Sequence, residues 1–277
     1  MASEGGHGGS HGHSHAHGHS HGGGKGNPNK DAWDKHQADY DKDSADFVAK
    51  AVPMMKKLLA GAGMTFDEDR KALDFGAGTG NLAIPLATSF CGHVTAVDLS
   101  EGMLAHLKKK IQSTDIENRF RIICAELGPG DVVKKPSDQK RHVKEGDYDL
   151  VLCSMVIHHV PDRKKIIEMF KSMLKPGGVL MIYEFEATPQ AKEMMDTKKE
   201  SHGVFHDGLT PMAFLELMTS AGAHATRSAD RWIHIGFRLS SGLKSILHPM
   251  HRIFFRIASF GVLFVCYSLA TKTRHEL

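Results

Sequence analysis

Between residues 73 and 82 the chain reads Leu73-Asp74-Phe75-Gly76-Ala77-Gly78-Thr79-Gly80-Asn81-Leu82, an apolar run that enters a glycine turn and leaves it as a helix. Glycines in such a turn admit positive φ and let a ligand come close to the backbone. A pyrophosphate-binding turn, GxGxxG, would carry its third glycine at position 81, where this chain has Asn81. The spacing is GxGxG instead, and Asp74 stands two residues before the first glycine. A carboxylate there disfavours an anionic pyrophosphate and favours a cationic or amine-bearing ligand. Asp98 ends the next apolar run, 24 residues after Asp74, where folds of this type place a carboxylate to accept ribose hydroxyls. S-adenosylmethionine has a ribose, a sulfonium and an α-amino group and no phosphate, which meets both demands.

Other groups suit proton transfer or metal binding. His158 and His159 follow the fourth apolar run, and an imidazole titrates in the range useful to a general base. His202, His206 and Asp207 form a second polar cluster in a stretch able to close over a substrate. The candidates for catalysis are His158, His159 and His206. Near the N-terminus seven histidines alternate mostly with Gly and Ser, and His11, His13, His15, His17 and His19 are candidate ligands for a divalent metal. A solvated tail is the alternative reading of the same histidines. The four cysteines, Cys91, Cys124, Cys153 and Cys266, are far apart and suggest neither a disulfide framework nor a zinc site, so a reducing, cytoplasmic setting is expected. The start lacks the apolar stretch of a secretory signal, which points the same way.

Elements must hold these groups in place. Residues 1–30 carry no large apolar side chain after Met1 and are expected to be a disordered arm. Residues 31–66 read as a helical cap in which Phe47, Ala51, Met54, Met55, Leu58 and Leu59 share one face of a helix running from Asp31 to Ala60. Trp33, His36 and Tyr40 lie on that helix. From residue 67 onward short apolar runs alternate with helical stretches, the order of a doubly wound sheet. The expected strands are Lys71 to Phe75, His93 to Asp98, Phe120 to Cys124, Tyr148 to Cys153 and Val179 to Phe185. Helices are expected at Leu82 to Ser89, Gly102 to Thr114, Asp162 to Leu174 and Pro211 to Ala221.

With these residues in view, the chain resembles the class I S-adenosylmethionine-dependent methyltransferases from about Trp33 to Lys272. The subgroup it looks most like contains small-molecule enzymes of the ubiquinone and menaquinone type. Beyond the glycine turn, the resemblance rests on Val97-Asp98-Leu99-Ser100 with Met103, on Tyr148-Asp149-Leu150-Val151 entering His158-His159-Val160-Pro161-Asp162, and on Leu174-Lys175-Pro176-Gly177-Gly178. It implies an α/β, Rossmann-like fold with a seven-stranded, mostly parallel sheet, helices on both faces and the last strand antiparallel. It further implies that Asp74, Gly76, Ala77, Gly78, Thr79 and Gly80 surround the methionine part of S-adenosylmethionine. Asp98 and Leu99 would hold the ribose, Ala125 with Glu126 would lie near the adenine, and Met103 and Cys153 would complete the cofactor site.

The net charge of +3 is too small to impose a nucleic-acid partner. Enzymes that methylate nitrogens of DNA bases or of glutamine show an Asn/Asp-Pro-Pro-aromatic turn where this chain has Cys153-Ser154-Met155-Val156, which argues against those substrates. The basic bias sits in the C-terminal part, where residues 238–277 hold six Lys and Arg against one acid. Residues 243–258 read as an amphipathic insertion, with peripheral membrane contact as a candidate role for 243–256. Residues 260–270 read as the last strand, with Arg231 to Leu239 as its neighbour, and a membrane segment over 257–270 is the alternative. The expected activity is methyl transfer to a small, lipophilic acceptor by in-line displacement. A protein-directed methyltransferase, a catalytically silent cofactor-binding subunit and a metal-buffering protein are the alternatives.

Overall fold

The computed structural model describes residues 28–37, 39–61, 63–128, 132–133, 143–196, 203–221, 223–227, 233–237, 254–257 and 262–268. The arm histidines His11, His13, His15, His17 and His19, and residues 243–253 of the expected insertion, lie outside the described residues. No helix among the described residues is long and apolar enough to cross a membrane.

Five strands form a parallel sheet: β1 (Asp67–Phe75), β2 (Cys91–Asp98), β3 (Phe120–Cys124), β4 (Tyr148–Ser154) and β5 (Leu174–Phe185). Their spatial order is β5-β4-β1-β2-β3, so the chain winds outward in one direction from β1 to β3 and in the other from β4 to β5. The strands are apolar on both faces because both faces are covered. Along β4 and β5 the pleat separates two cores residue by residue. Leu150, Leu152, Val179, Met181 and Tyr183 join one core, and Val151, Cys153, Leu180 and Ile182 the other.

The helices close these cores with faces that their sequences supply. On the first side α3 (Ala45–Gly61) buries Ala51, Met55, Leu58 and Leu59, α4 (Ala83–Ser89) buries Leu86, and α5 (Glu101–Ile111) buries Leu104 and Leu107. On the other side α6 (Arg163–Met173) buries Ile166, Ile167, Phe170 and Met173, and Phe214 and Met218 of α8 (Pro211–Ser220) join the same core. Each of α5, α6 and α8 starts at a capping side chain. Ser100, Asp162 and Thr210 accept hydrogen bonds from the amides of Met103, Lys165 and Ala213. Between β5 and α8 lies α7 (Pro189–Asp196).

The cap departs from the single helix expected from Asp31 to Ala60. It is three helices, α1 (Pro28–His36), α2 (Tyr40–Asp43) and α3, and its first residue falls inside the stretch 1–30 expected to be without structure. The break after α1 has a local cause: the Gln37 side-chain amide turns back and donates to the carbonyl of Asp34 at 2.8 Å. At the second break, the Ser44 hydroxyl donates to the Tyr40 carbonyl at 2.6 Å.

Candidate functional site

β1 and β4 lie side by side at the point where the winding reverses, which is where open α/β sheets bind ligands. The chain leaves β1 through the glycine turn. Gly76 has φ +75, and a Cβ there would stand 2.2 Å from Val156 Cγ2, in the segment that follows β4. Gly80 has φ +83, and a Cβ there would stand 2.3 Å from Leu107 Cδ1 of α5. These two positions need glycine both for backbone conformation and for room.

Asp98, at the end of β2, links this turn to the next helix. Its Oδ2 accepts from the Gly78 amide and its Oδ1 from the Ser100 amide, both at 2.8 Å. Burial pushes its pKa up, while these backbone donors hold the ionised form. Each carboxylate oxygen retains a lone pair, so the group can still accept hydroxyl donors. Asp74 lies beneath the turn, 2% exposed, and its Oδ1 has no hydrogen-bond partner. Burial, with the Asp98 charge adding to it, pushes the Asp74 carboxyl up to about 8.

Above the turn is a cavity of about 530 Å³, lined by Gly76, Gly78, Asp98, Leu99, Met103, Ala125 and Glu126 from the sheet side. The cap supplies the opposite wall with Trp33, His36, Tyr40, Ser44 and Phe47. Trp33 meets Tyr40 edge-on at 5.8 Å and His159 at 5.7 Å, so cap and sheet touch through aromatic rings. Tyr40 is half-buried beside Asp98, Asp41 and Asp74, and burial together with these charges pushes its phenol up to about 12.

Polar contacts fasten the cap. Asp34 of α1 accepts from the Ser100 hydroxyl at 2.5 Å and from the Gly102 amide at 3.3 Å, and it also pairs with Lys30. Asp41 of α2 accepts from the Thr79 hydroxyl at 2.5 Å and pairs with Lys110 at 2.7 Å. Lys110 also donates to Thr79 and Asn81.

The far wall carries two of the candidate bases. His158 and His159 lie in a short turn, Ile157–His159, after β4, and their rings stand 4.1 Å apart. His158 Nδ1 donates to Glu184 Oε1 at 2.8 Å, and its amide donates to Glu184 Oε2 at 3.1 Å. His159 Nδ1 donates to the Gly203 carbonyl at 3.4 Å.

Comparison with known proteins agrees with this geometry. A family model described as a methyltransferase domain matches residues 29–236. The chain belongs to the class I S-adenosylmethionine-dependent methyltransferases. The ubiquinone biosynthesis O-methyltransferase of Hydrogenovibrio crunogenus is 32% identical over 111 residues, covering 40% of this chain and 41% of that protein. The ubiquinone/menaquinone biosynthesis C-methyltransferase of Geobacter sulfurreducens is 30% identical over 129 residues, covering 46% of each. The match thus spans less than half the length of these curated relatives. In fold, the S-adenosylmethionine-dependent methyltransferase from Aquifex aeolicus superposes with a TM-score of 0.50 at 14% identity, covering 77% of this chain and 88% of that one.

Within this methyltransferase domain the expected site residues divide into two groups. Gly76, Gly78, Asp98, Leu99, Met103, Ala125, Glu126, His158 and His159 line the cavity. Asp74, Ala77, Thr79, Gly80 and Cys153 are buried behind it or within the turn. Thr79 holds α2 and α5 to the turn rather than facing the cavity. Cys153 faces the core, and burial drives its thiol well above the usual range. His206 is also outside the lining: its Nε2 donates to the Val160 carbonyl at 3.1 Å, and burial with Arg163 nearby lowers its pKa. Among the described residues no group of three His, Cys, Asp or Glu gathers to hold a metal.

Glu184, which holds the lining residue His158, was not singled out by its sequence, and neither were the lining residues Ser44, Val156 and Phe185. The signal for Glu184 was an acid interrupting the apolar run Val179-Leu180-Met181-Ile182-Tyr183 near the end of β5.

Proposed function

We propose that this chain transfers a methyl group from S-adenosylmethionine to a small, lipophilic acceptor. The observation that carries the reading is the pairing of Asp74, a buried carboxyl group with an orphaned oxygen, with Asp98 under a glycine turn that opens onto a cavity walled by Trp33, Tyr40 and Phe47. The residues fit the cofactor. An ammonium entering the turn supplies the partner Asp74 Oδ1 lacks, Gly76 and Gly78 leave the backbone open to it, and Asp98 has lone pairs for a ribose diol. When bound, S-adenosylmethionine supplies an electrophilic methyl on sulfur.

The chain's own residues then do two things. The turn and Asp98 fix one reactant, and the cap aromatics and the wall from Val156 to Val160 confine the other. Alignment of nucleophile and methyl in such a site supplies much of the acceleration in a displacement reaction. The ubiquinone O- and C-methyltransferases among the relatives support a lipophilic acceptor. The free thiols of Cys91, Cys124 and Cys153 support a reducing, cytoplasmic setting.

The same reading extends to the sheet, for which we infer seven strands with the last one antiparallel. Its support is the alignment of Val262–Ser268 along β5, from Val262 opposite Phe185 to Ser268 opposite Val179, with Phe254–Ile257 pairing on its outer side. Within the expected partner Arg231 to Leu239, the described residues Ile233–Phe237 pair with Ala223–Arg227, and Val262–Ser268 pairs with β5 and Phe254–Ile257.

Incubation of the full chain with methyl-labelled S-adenosylmethionine and a panel of phenols, quinols and amines tests the function. Label should pass to a phenolic or quinol acceptor. Binding of the cofactor with no transfer to any acceptor of this class would contradict it.

A further inference from the structure

We propose that Lys110, which lies outside the cavity, is a positioning residue that ties α2 to the glycine turn, and that Tyr40 of α2 is thereby held as the hydroxyl donor for the carboxylate of the bound cofactor. The proposal rests on the methyltransferase reading above and deepens its account of cofactor recognition.

S-adenosylmethionine carries its ammonium and its carboxylate on one carbon, so an ammonium seated at Asp74 brings a carboxylate to the same end of the cavity. That carboxylate needs donors. Four of the turn's own amides are already engaged: those of Gly76 and Ala77 donate to the Val97 carbonyl, that of Gly80 to the Ala77 carbonyl, and that of Gly78 to Asp98. Thr79 and Asn81, whose amides remain, are outside the cavity lining. Asp74 and Asp98, once ionised, only accept.

The donor must then come from a cap side chain. The Ser44 hydroxyl is taken by the Tyr40 carbonyl, and His36 Nε2 faces Asp43 at 3.4 Å. The Tyr40 hydroxyl takes part in none of the described hydrogen bonds. Its ring lines the cavity, with Cε1 3.8 Å from where a Cβ on Gly78 would stand. Burial and the charges of Asp98, Asp41 and Asp74 keep the phenol protonated, so at neutral pH it is a donor.

Helix α2 has four residues, too few to hold a helical turn without outside support. The two non-glycine residues in the second half of the turn supply that support. The Thr79 hydroxyl donates to Asp41 Oδ1 at 2.5 Å, and Asn81 Nδ2 donates to the Ser44 hydroxyl at 3.2 Å, so both ends of α2 are tied down. Lys110, in the last turn of α5, joins all of these. Its ammonium donates to Asp41 Oδ2 at 2.7 Å, to Asn81 Oδ1 at 3.0 Å and to the Thr79 hydroxyl at 3.1 Å, one acceptor for each hydrogen. Against the effect of burial, the bonds from Lys110 and Thr79 hold Asp41 ionised. Asn81, which stands where a pyrophosphate-binding turn would have glycine, is thus part of the tie.

The test uses two ligands, the demethylated product of S-adenosylmethionine and its decarboxylated analogue, which keeps the ammonium, thioether, ribose and adenine. Calorimetry compares their binding to the full chain and to Tyr40→Phe, Lys110→Met and Lys110→Arg. Tyr40→Phe, which keeps the ring packing, should weaken the product by on the order of tenfold, the worth of a hydrogen bond to a charged group, and leave the analogue within about twofold. Lys110→Met should weaken the product selectively in the same way, and Lys110→Arg should recover part of the loss. In turnover, Lys110→Met should raise KM for S-adenosylmethionine with kcat little changed, the mark of lost uniform binding. Equal losses for both ligands in Tyr40→Phe, or product affinity unchanged in Tyr40→Phe or in Lys110→Met, would overturn the proposal and leave the methyltransferase reading standing. No binding of either ligand by the unmodified chain would bring down both together.

Discussion

Asp74 is the residue on which the chemistry of recognition turns. Its folded-state pKa of about 8, against the ordinary 3.8, means that the folded protein holds a proton that the unfolded chain has already released at neutral pH. The stability it contributes is fully present below about pH 4 and is lost as pH rises through about 8. Substitution Asp74→Asn should therefore flatten the fall in melting temperature between those limits. A ligand ammonium beside Asp74 favours the ionised form, so S-adenosylmethionine binding at pH 7 should expel a proton. The binding heat should then vary with the ionisation enthalpy of the buffer, and it should cease to do so in Asp74→Asn. At the turn, Gly76→Ala combines a positive φ with a clash against the stiff Val156 side chain and should cost about 2–4 kcal/mol, read by denaturant unfolding. Gly78→Ala meets nothing nearer than Tyr40 Cε1 at 3.8 Å, so it should cost only the φ term, about 1 kcal/mol. The glycine spacing and the two carboxylates could be read from the sequence because each is a local pattern. Glu184 could not, because its meaning depends on β5 lying beside β4, 26 residues from His158 along the chain.

Among the elements, the cap has the most to do with access to the site. Helix α1 is held to the N-terminus of α5 by Asp34, and α2 to the glycine turn by Asp41 through Thr79 and Lys110. Substitution Asp34→Ala removes acceptors from the Ser100 hydroxyl and the Gly102 amide and should cost about 1 kcal/mol. Because those bonds close the cavity wall, KM for the acceptor should rise in the same variant while the sheet's own unfolding cooperativity is unchanged. An unaltered KM would mean that α1 does not shape the acceptor side. The five parallel strands were legible because a doubly covered sheet needs uninterrupted apolar runs, and their ends fell within a few residues of expectation, apart from earlier starts to β1 and β5. The cap was less so. Its apolar stripe describes α3 well, but the breaks near Gln37 and Ser44 come from side chains that hydrogen-bond to the backbone, which periodicity does not register.

For the whole molecule, the account requires that one ligand knit the two halves of the sheet and the cap together. A ligand that binds only the folded state stabilises it by about 2.7 kcal/mol at a hundred times its Kd. For a domain of this size that corresponds to a rise in Tm of roughly 5–10 °C with S-adenosylmethionine or its demethylated product. The most direct test is calorimetric titration of the full chain with both compounds, repeated on Asp98→Ala. The account predicts binding with Kd on the order of micromolar that the substitution abolishes. Binding that survives the loss of Asp98 unchanged, or no binding by the intact chain, would contradict it.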